Sequence, residues 1–189
     1  MNAVFSYAKF CKELEFSLPA STVQQRKIWA TTIIENDLHI KGLSRLLQCE
    51  HKVVSRFLWL LSETGALSPA KLLAELPFLF TLYDDLRPAY KTSFASYWLI
   101  AGLPPENESK AIDLLFQWLL SADTNVTIKS RSVLVLYQLT KKYPELKNEL
   151  KICLEDRMDK YSKDFEKRAA KILLKLGARL PETPPRSSA

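Results

Sequence analysis

Apolar positions recur at helical spacing along most of this chain. Near residues 127–142, Ile128, Val133, Leu134, Val135, Leu136, Tyr137 and Leu139 leave a narrow polar stripe of Thr127, Ser130, Arg131, Gln138 and Lys141. Such a helix is flanked by neighbours on most sides. Near 163–176 the pattern is one-sided: Phe165, Ala169, Ile172, Leu173 and Leu176 make an apolar face, while Lys163, Lys167, Lys171 and Lys175 run along another. Prolines at helix starts and glycines at helix ends punctuate these runs, as the unpaired first N–H groups and the left-handed last residue favour. The spacing predicts helices near 2–16, 21–36, 39–48, 51–64, 69–83, 88–101, 106–121, 127–142, 145–160 and 163–176.

From about residue 50 the helices repeat. Segments centred on Arg56, Ser93, Arg131 and Arg168 align at intervals of 37, 38 and 37 residues, and Pro69, Pro105, Pro144 and Pro181 are 36, 39 and 37 apart. A fixed period in this range, with two helices per period, predicts a stacked helical array. The expected architecture is an all-α, right-handed α-solenoid of about ten helices arranged as antiparallel hairpins. One domain is expected over 1–177. Within it, 1–49 form a divergent first repeat or cap, and 50–177 hold the repeats of about 37 residues. Residues 178–189, with Pro181, Pro184, Pro185 and two serines, are expected to be a flexible tail.

Composition narrows the classes. Four glycines and 47% hydrophobic residues favour helix. The longest apolar stretch, Leu76 to Tyr83, falls far short of the roughly 20 residues that span a bilayer, so no membrane segment is expected. The first residues have no basic start followed by an apolar run and a cleavage site, and Cys11, Cys49 and Cys153 have no framework spacing, so no signal peptide and a cytoplasmic location are expected. Charge is uneven. Residues 126–189 hold 15 Lys plus Arg against 8 Asp plus Glu, whereas 1–125 hold 12 against 13.

Arg131 and Arg168 lie six residues after Asn125 and Ser162, and Arg56 lies six after Glu50, while Ser93 follows Arg87. This pairing of a turn residue with a basic residue in the second helix resembles HEAT and armadillo-type repeats, over about residues 50–177. The resemblance implies that second helices line a concave surface that holds a protein partner. Arg56, Ser93, Arg131, Gln138 and Arg168 are the candidate partner-binding residues. The plainer reading is that each Arg ties one repeat to the next turn.

Lys163, Lys167, Lys171 and Lys175 are candidate anion-binding residues, or else the solvent face of a terminal cap. Trp59 and Glu63, one turn apart, with Trp98 and Tyr137 on later second helices, bear a weaker similarity to the HEAT-like DNA-alkylation-repair proteins. That similarity implies a nucleic-acid groove as the rival reading. Trp29 and Trp118 are expected in the core. Cys49, His51 and His39 lack the second dyad of a structural zinc site, and two histidines make no identifiable catalytic set. No catalytic, cofactor-binding or metal-binding residue is assigned. The sequence therefore predicts a non-enzymatic scaffold for a protein partner, with nucleic-acid binding as the alternative and the oligomeric state open.

Overall fold

The computed structural model describes residues 5–178, and every element among them is helical. The expected helix start at 2–4 and the expected tail from residue 179 onward lie outside the described residues. Internal contacts divide the chain into two compact units, residues 1–111 and 112–189.

In the first unit, α1 (Tyr7–Ser17), α2 (Val23–Glu35) and α3 (Ile40–Leu43) precede α4 (His51–Leu67), α5 (Pro69–Thr81), α6 (Pro88–Lys91) and α7 (Phe94–Ala101). α4 is the hub, packing on α2, α5 and α7, while α5 also packs on α3 and α7. Its apolar face explains this: Val53, Val54, Phe57, Leu58, Leu60 and Leu61 are all buried. Across from them Phe80, Tyr83, Phe94, Tyr97 and Trp98 form an aromatic cluster with neighbouring ring centroids 5.3–5.7 Å apart, within the range for edge-to-face attraction. Tyr97 Oη donates to the Leu58 carbonyl at 2.9 Å, which satisfies the one polar atom of a fully buried ring.

Three local expectations are corrected. The segment 39–48 is a single turn of α-helix followed by a 3-10 stretch, Ser44–Gln48. The helix expected over 88–101 breaks at Thr92 and Ser93, which makes Ser93 the cap of α7 rather than a mid-helix residue. Gly65 does not end α4, which runs on to Leu67. It lies instead where α5 comes close, and a Cβ there would sit 2.4 Å from Leu72 Cδ2 and 3.1 Å from Ile100 Cγ2. Gly102 (φ +91°) and Gly177 (φ +78°) do take the left-handed conformation beyond their helices, where glycine avoids the Cβ penalty.

The division between units falls within α8 (Glu108–Leu120). The second unit then holds α9 (Val126–Leu139), α10 (Leu146–Arg157) and α11 (Lys163–Lys175), each packed on the other two. Asn125 and Ser162 start α9 and α11, their side-chain oxygens accepting from Thr127 N at 2.7 Å and Phe165 N at 3.2 Å. Such caps satisfy donors the helix leaves unpaired. Val133, Val135, Leu136 and Leu139 of α9 meet Leu150 and Leu154 of α10 and Phe165, Ala169, Ile172 and Leu173 of α11 in the buried interior. Lys129, which the apolar pattern did not single out, is also in that interior at 1% exposure.

Candidate functional site: a basic groove between two helices

α9 and α11 lie side by side because their apolar faces share one core, and that leaves a furrow on their outer flanks. The furrow is an open groove of about 680 Å³. Leu134, Tyr137 and Gln138 line it from α9 and Lys141 from the turn that follows; Asp164, Lys167, Arg168, Lys171, Ile172 and Lys175 line it from α11. The positions step by three and four residues, so each set is one helical face. From Asp164 to Lys175 the lining covers 11 residue steps of α11, a length of roughly 16 Å at 1.5 Å per residue.

The groove is charged on its rim and apolar at its floor. Leu134 and Tyr137 are half-buried and Ile172 is buried, while Lys141, Lys167, Arg168, Lys171 and Lys175 are exposed around them. Asp164 is the one carboxylate in the lining. None of these charged side chains forms a salt bridge with another described residue. Lys175 Nζ sits 5.6 Å from the Tyr137 ring centroid, a cation held against an aromatic face. The lysines at i+4 spacing repel by about 0.2–0.5 kcal/mol per pair, and a bound anion would relieve that repulsion.

The sequence-derived sites are partly brought together. Lys167, Lys171 and Lys175 line the groove, but Lys163, the first residue of α11, does not. Gln138 and Arg168 line it, and Arg131 is half-buried on α9 outside the lining. Arg56 and Ser93 belong to the first unit. Arg56, Arg131 and Arg168 share a helical position, each the sixth residue of its helix, whereas Ser93 lies outside α7. Of the aromatic set, Tyr137 lines the groove. Trp59 and Glu63 are on α4 of the first unit, and Trp98 is removed from any surface role by its burial, at 1% exposure among the aromatic cluster.

Sequence reasoning did not assign Lys141, Asp164, Leu134 or Ile172 to the site. Lys141 was within reach, because the helix expected over 127–142 puts it one turn beyond Tyr137 and two beyond Leu134, although α9 ends at Leu139 and Lys141 reaches the groove from the turn. What the sequence lacked was the pairing of α9 with α11.

Elsewhere several titratable groups pair off. His39 Nδ1 is 3.0 Å from Glu75 Oε1, Lys71 Nζ donates to Asp37 Oδ1 at 2.7 Å, and His51 Nδ1 is 2.6 Å from Tyr90 Oη. Burial, with Asp84 adding repulsion, pushes the Tyr83 phenol up to about 12. Burial, then the Cys11 hydrogen bond, does the same to Tyr7. Burial raises the thiols of Cys49 and Cys153, away from the reactive thiolate range. Among the described residues no group of three or more His, Cys, Asp and Glu side chains is placed to hold a metal ion. No helix among them is long and apolar enough to cross a membrane. Comparison of the chain with known protein families, curated proteins and solved structures found no match.

Proposed function

We propose that this protein is a non-enzymatic interaction scaffold of the HEAT or armadillo kind, and that the groove between α9 and α11 holds an acidic, amphipathic segment of a protein partner. The observation that carries this is the combination of an apolar floor with five cations that form no salt bridge among the described residues. A cationic rim attracts and orients an acidic ligand. Leu134, Ile172 and the Tyr137 ring then offer surface that only an apolar ridge can cover, the arrangement used when an amphipathic helix lies in a groove. The mutual packing of α9, α10 and α11, with the two second helices flanking one groove, supports the repeat reading.

The rival reading, a nucleic-acid or DNA-alkylation-repair-like protein, draws on the same lysines and on Tyr137, whose ring could stack on a base. It uses the floor less well, because phosphate gains nothing from Leu134 and Ile172. It also loses Trp98, which is in the core.

The test is binding of a labelled peptide that carries an apolar ridge flanked by glutamates, measured by fluorescence anisotropy. Replacing Lys167, Lys171 and Lys175 together with Gln should weaken binding by about tenfold or more, a loss of at least about 1.4 kcal/mol. Leu134→Asp should weaken it as well by placing a charge on the floor. Equal binding by all three proteins would remove the groove from the account.

A further inference from the structure

Trp59 is unlike the other tryptophans of the chain. Trp29, Trp98 and Trp118 are 2, 1 and 6% exposed, whereas Trp59 on α4 is 50% exposed. It has two cationic neighbours: Arg56 Cζ, from the preceding turn, is 4.4 Å from the ring centroid, and Arg26 Cζ, from α2, is 5.2 Å away. Arg26 is 3% exposed. Its Nη1 donates to the Ser21 carbonyl at 2.8 Å and to Ser21 Oγ at 3.1 Å, but its buried Nε has no acceptor. Burial first, and then the like charge of Arg56, holds the Arg26 guanidinium below the usual arginine range, with Glu63 acting the other way. Neither Arg56 nor Glu63 has a hydrogen-bond or salt-bridge partner among the described residues.

We propose that Arg56, backed by Arg26 and Trp59, is a binding site for a carboxylate on the first unit, separate from the basic groove. A guanidinium resting against an indole ring has its rotamer settled beforehand and keeps N–H donors along its edge, the geometry that takes a planar carboxylate in a fork. Two guanidiniums and the Glu63 carboxylate leave one positive charge, which a monoanion neutralises and a phosphate dianion overshoots. Arg26 is buried with its Nε shielded from solvent, so it backs the site with charge and the fork on the ligand comes from Arg56. The carboxylate can come from an acidic side chain or from a chain terminus, since both present the same group.

Because the other three indoles are buried, iodide quenching of tryptophan emission reads this site in the full-length protein. Two probes separate the sources at matched ionic strength: N-acetylglycine for a terminal carboxylate and N-acetylglutamic acid α-amide for a side chain. At least one should lower the iodide quenching slope, roughly twofold or more for a forked charge-assisted pair. Chloride should not, and a phosphate monoester should do so less. Arg56→Gln should abolish the protection, and Arg56→Lys should keep the attraction for iodide but lose the protection. Glu63→Gln, which leaves every cation in place, should strengthen protection and serves as the readout if the Arg56 variants do not fold. Protection unchanged in natively helical Arg56→Gln, no gain in Glu63→Gln, protection by neither carboxylate, or stronger protection by the phosphate monoester would each overturn the assignment.

Discussion

Lys129 reaches back from α9 to the end of α8, where its Nζ donates to the Leu119 carbonyl at 3.3 Å. It also donates to the Ser121 carbonyl and to Tyr161 Oη, and lies 4.4 Å from the Tyr161 ring centroid. The last carbonyls of a helix have no partner within it and carry the negative end of its dipole. A buried ammonium at that point closes the end of α8 onto α9.

Lys129→Met should therefore destabilise the protein by about 1–3 kcal/mol, since methionine fills the space but leaves the Ser121 carbonyl and the Tyr161 phenol oxygen without their donor, and leaves the Leu119 carbonyl with the Tyr161 hydroxyl at 3.4 Å alone. The midpoint of urea unfolding measures this. A midpoint unchanged or raised would mean that desolvating the ammonium costs as much as its hydrogen bonds return.

Core substitutions test the packing of the second unit. Leu136 and Leu173 are both buried, in α9 and α11 respectively. Each change to Ala should cost about 2–5 kcal/mol, with the helical signal retained at low denaturant. A loss below about 1 kcal/mol at both sites would contradict the shared core that brings the two helices together.

The helices themselves were largely legible in the sequence, because burial on one side writes a 3.6-residue period into each, and Asn125, Ser162, Pro69 and Gly102 mark ends by local chemistry. Side chains whose roles depend on a distant partner were not legible. Lys129 reads as one more cation in a lysine-rich region until Leu119, Ser121 and Tyr161 surround it. Gly65 reads as a helix end until Leu72 and Ile100 show that it is an approach point. The groove shows the same limit: the lysine row of α11 was visible at i+4 spacing, but the floor that gives it a use comes from α9.

The pair of half-buried Lys71 and exposed Asp37 predicts a dependence on acid. The Lys71 hydrogen bond, followed by its charge, holds the Asp37 carboxyl below its ordinary value of 3.8. A carboxyl with a lowered folded-state pKa stabilises the fold above the ordinary value and loses that contribution as pH falls through the folded one. Thermal melts should therefore show wild type and Asp37→Asn converging as pH drops below about 4, with wild type the more stable near neutrality. Parallel curves at all pH values would show that the pair does not couple to folding.

The central claim, that the groove of the second unit prefers an acidic amphipathic segment to nucleic acid, is tested most directly by competition at near-physiological ionic strength, about 0.15 M. With the labelled peptide bound, excess unlabelled peptide should displace it. An equal concentration of mixed-sequence duplex DNA should not, since most of its attraction is lost with counterion release at that salt. Displacement by the duplex at submicromolar concentration, abolished when Lys167, Lys171 and Lys175 are all changed to Gln, would contradict the account and assign the groove to nucleic acid.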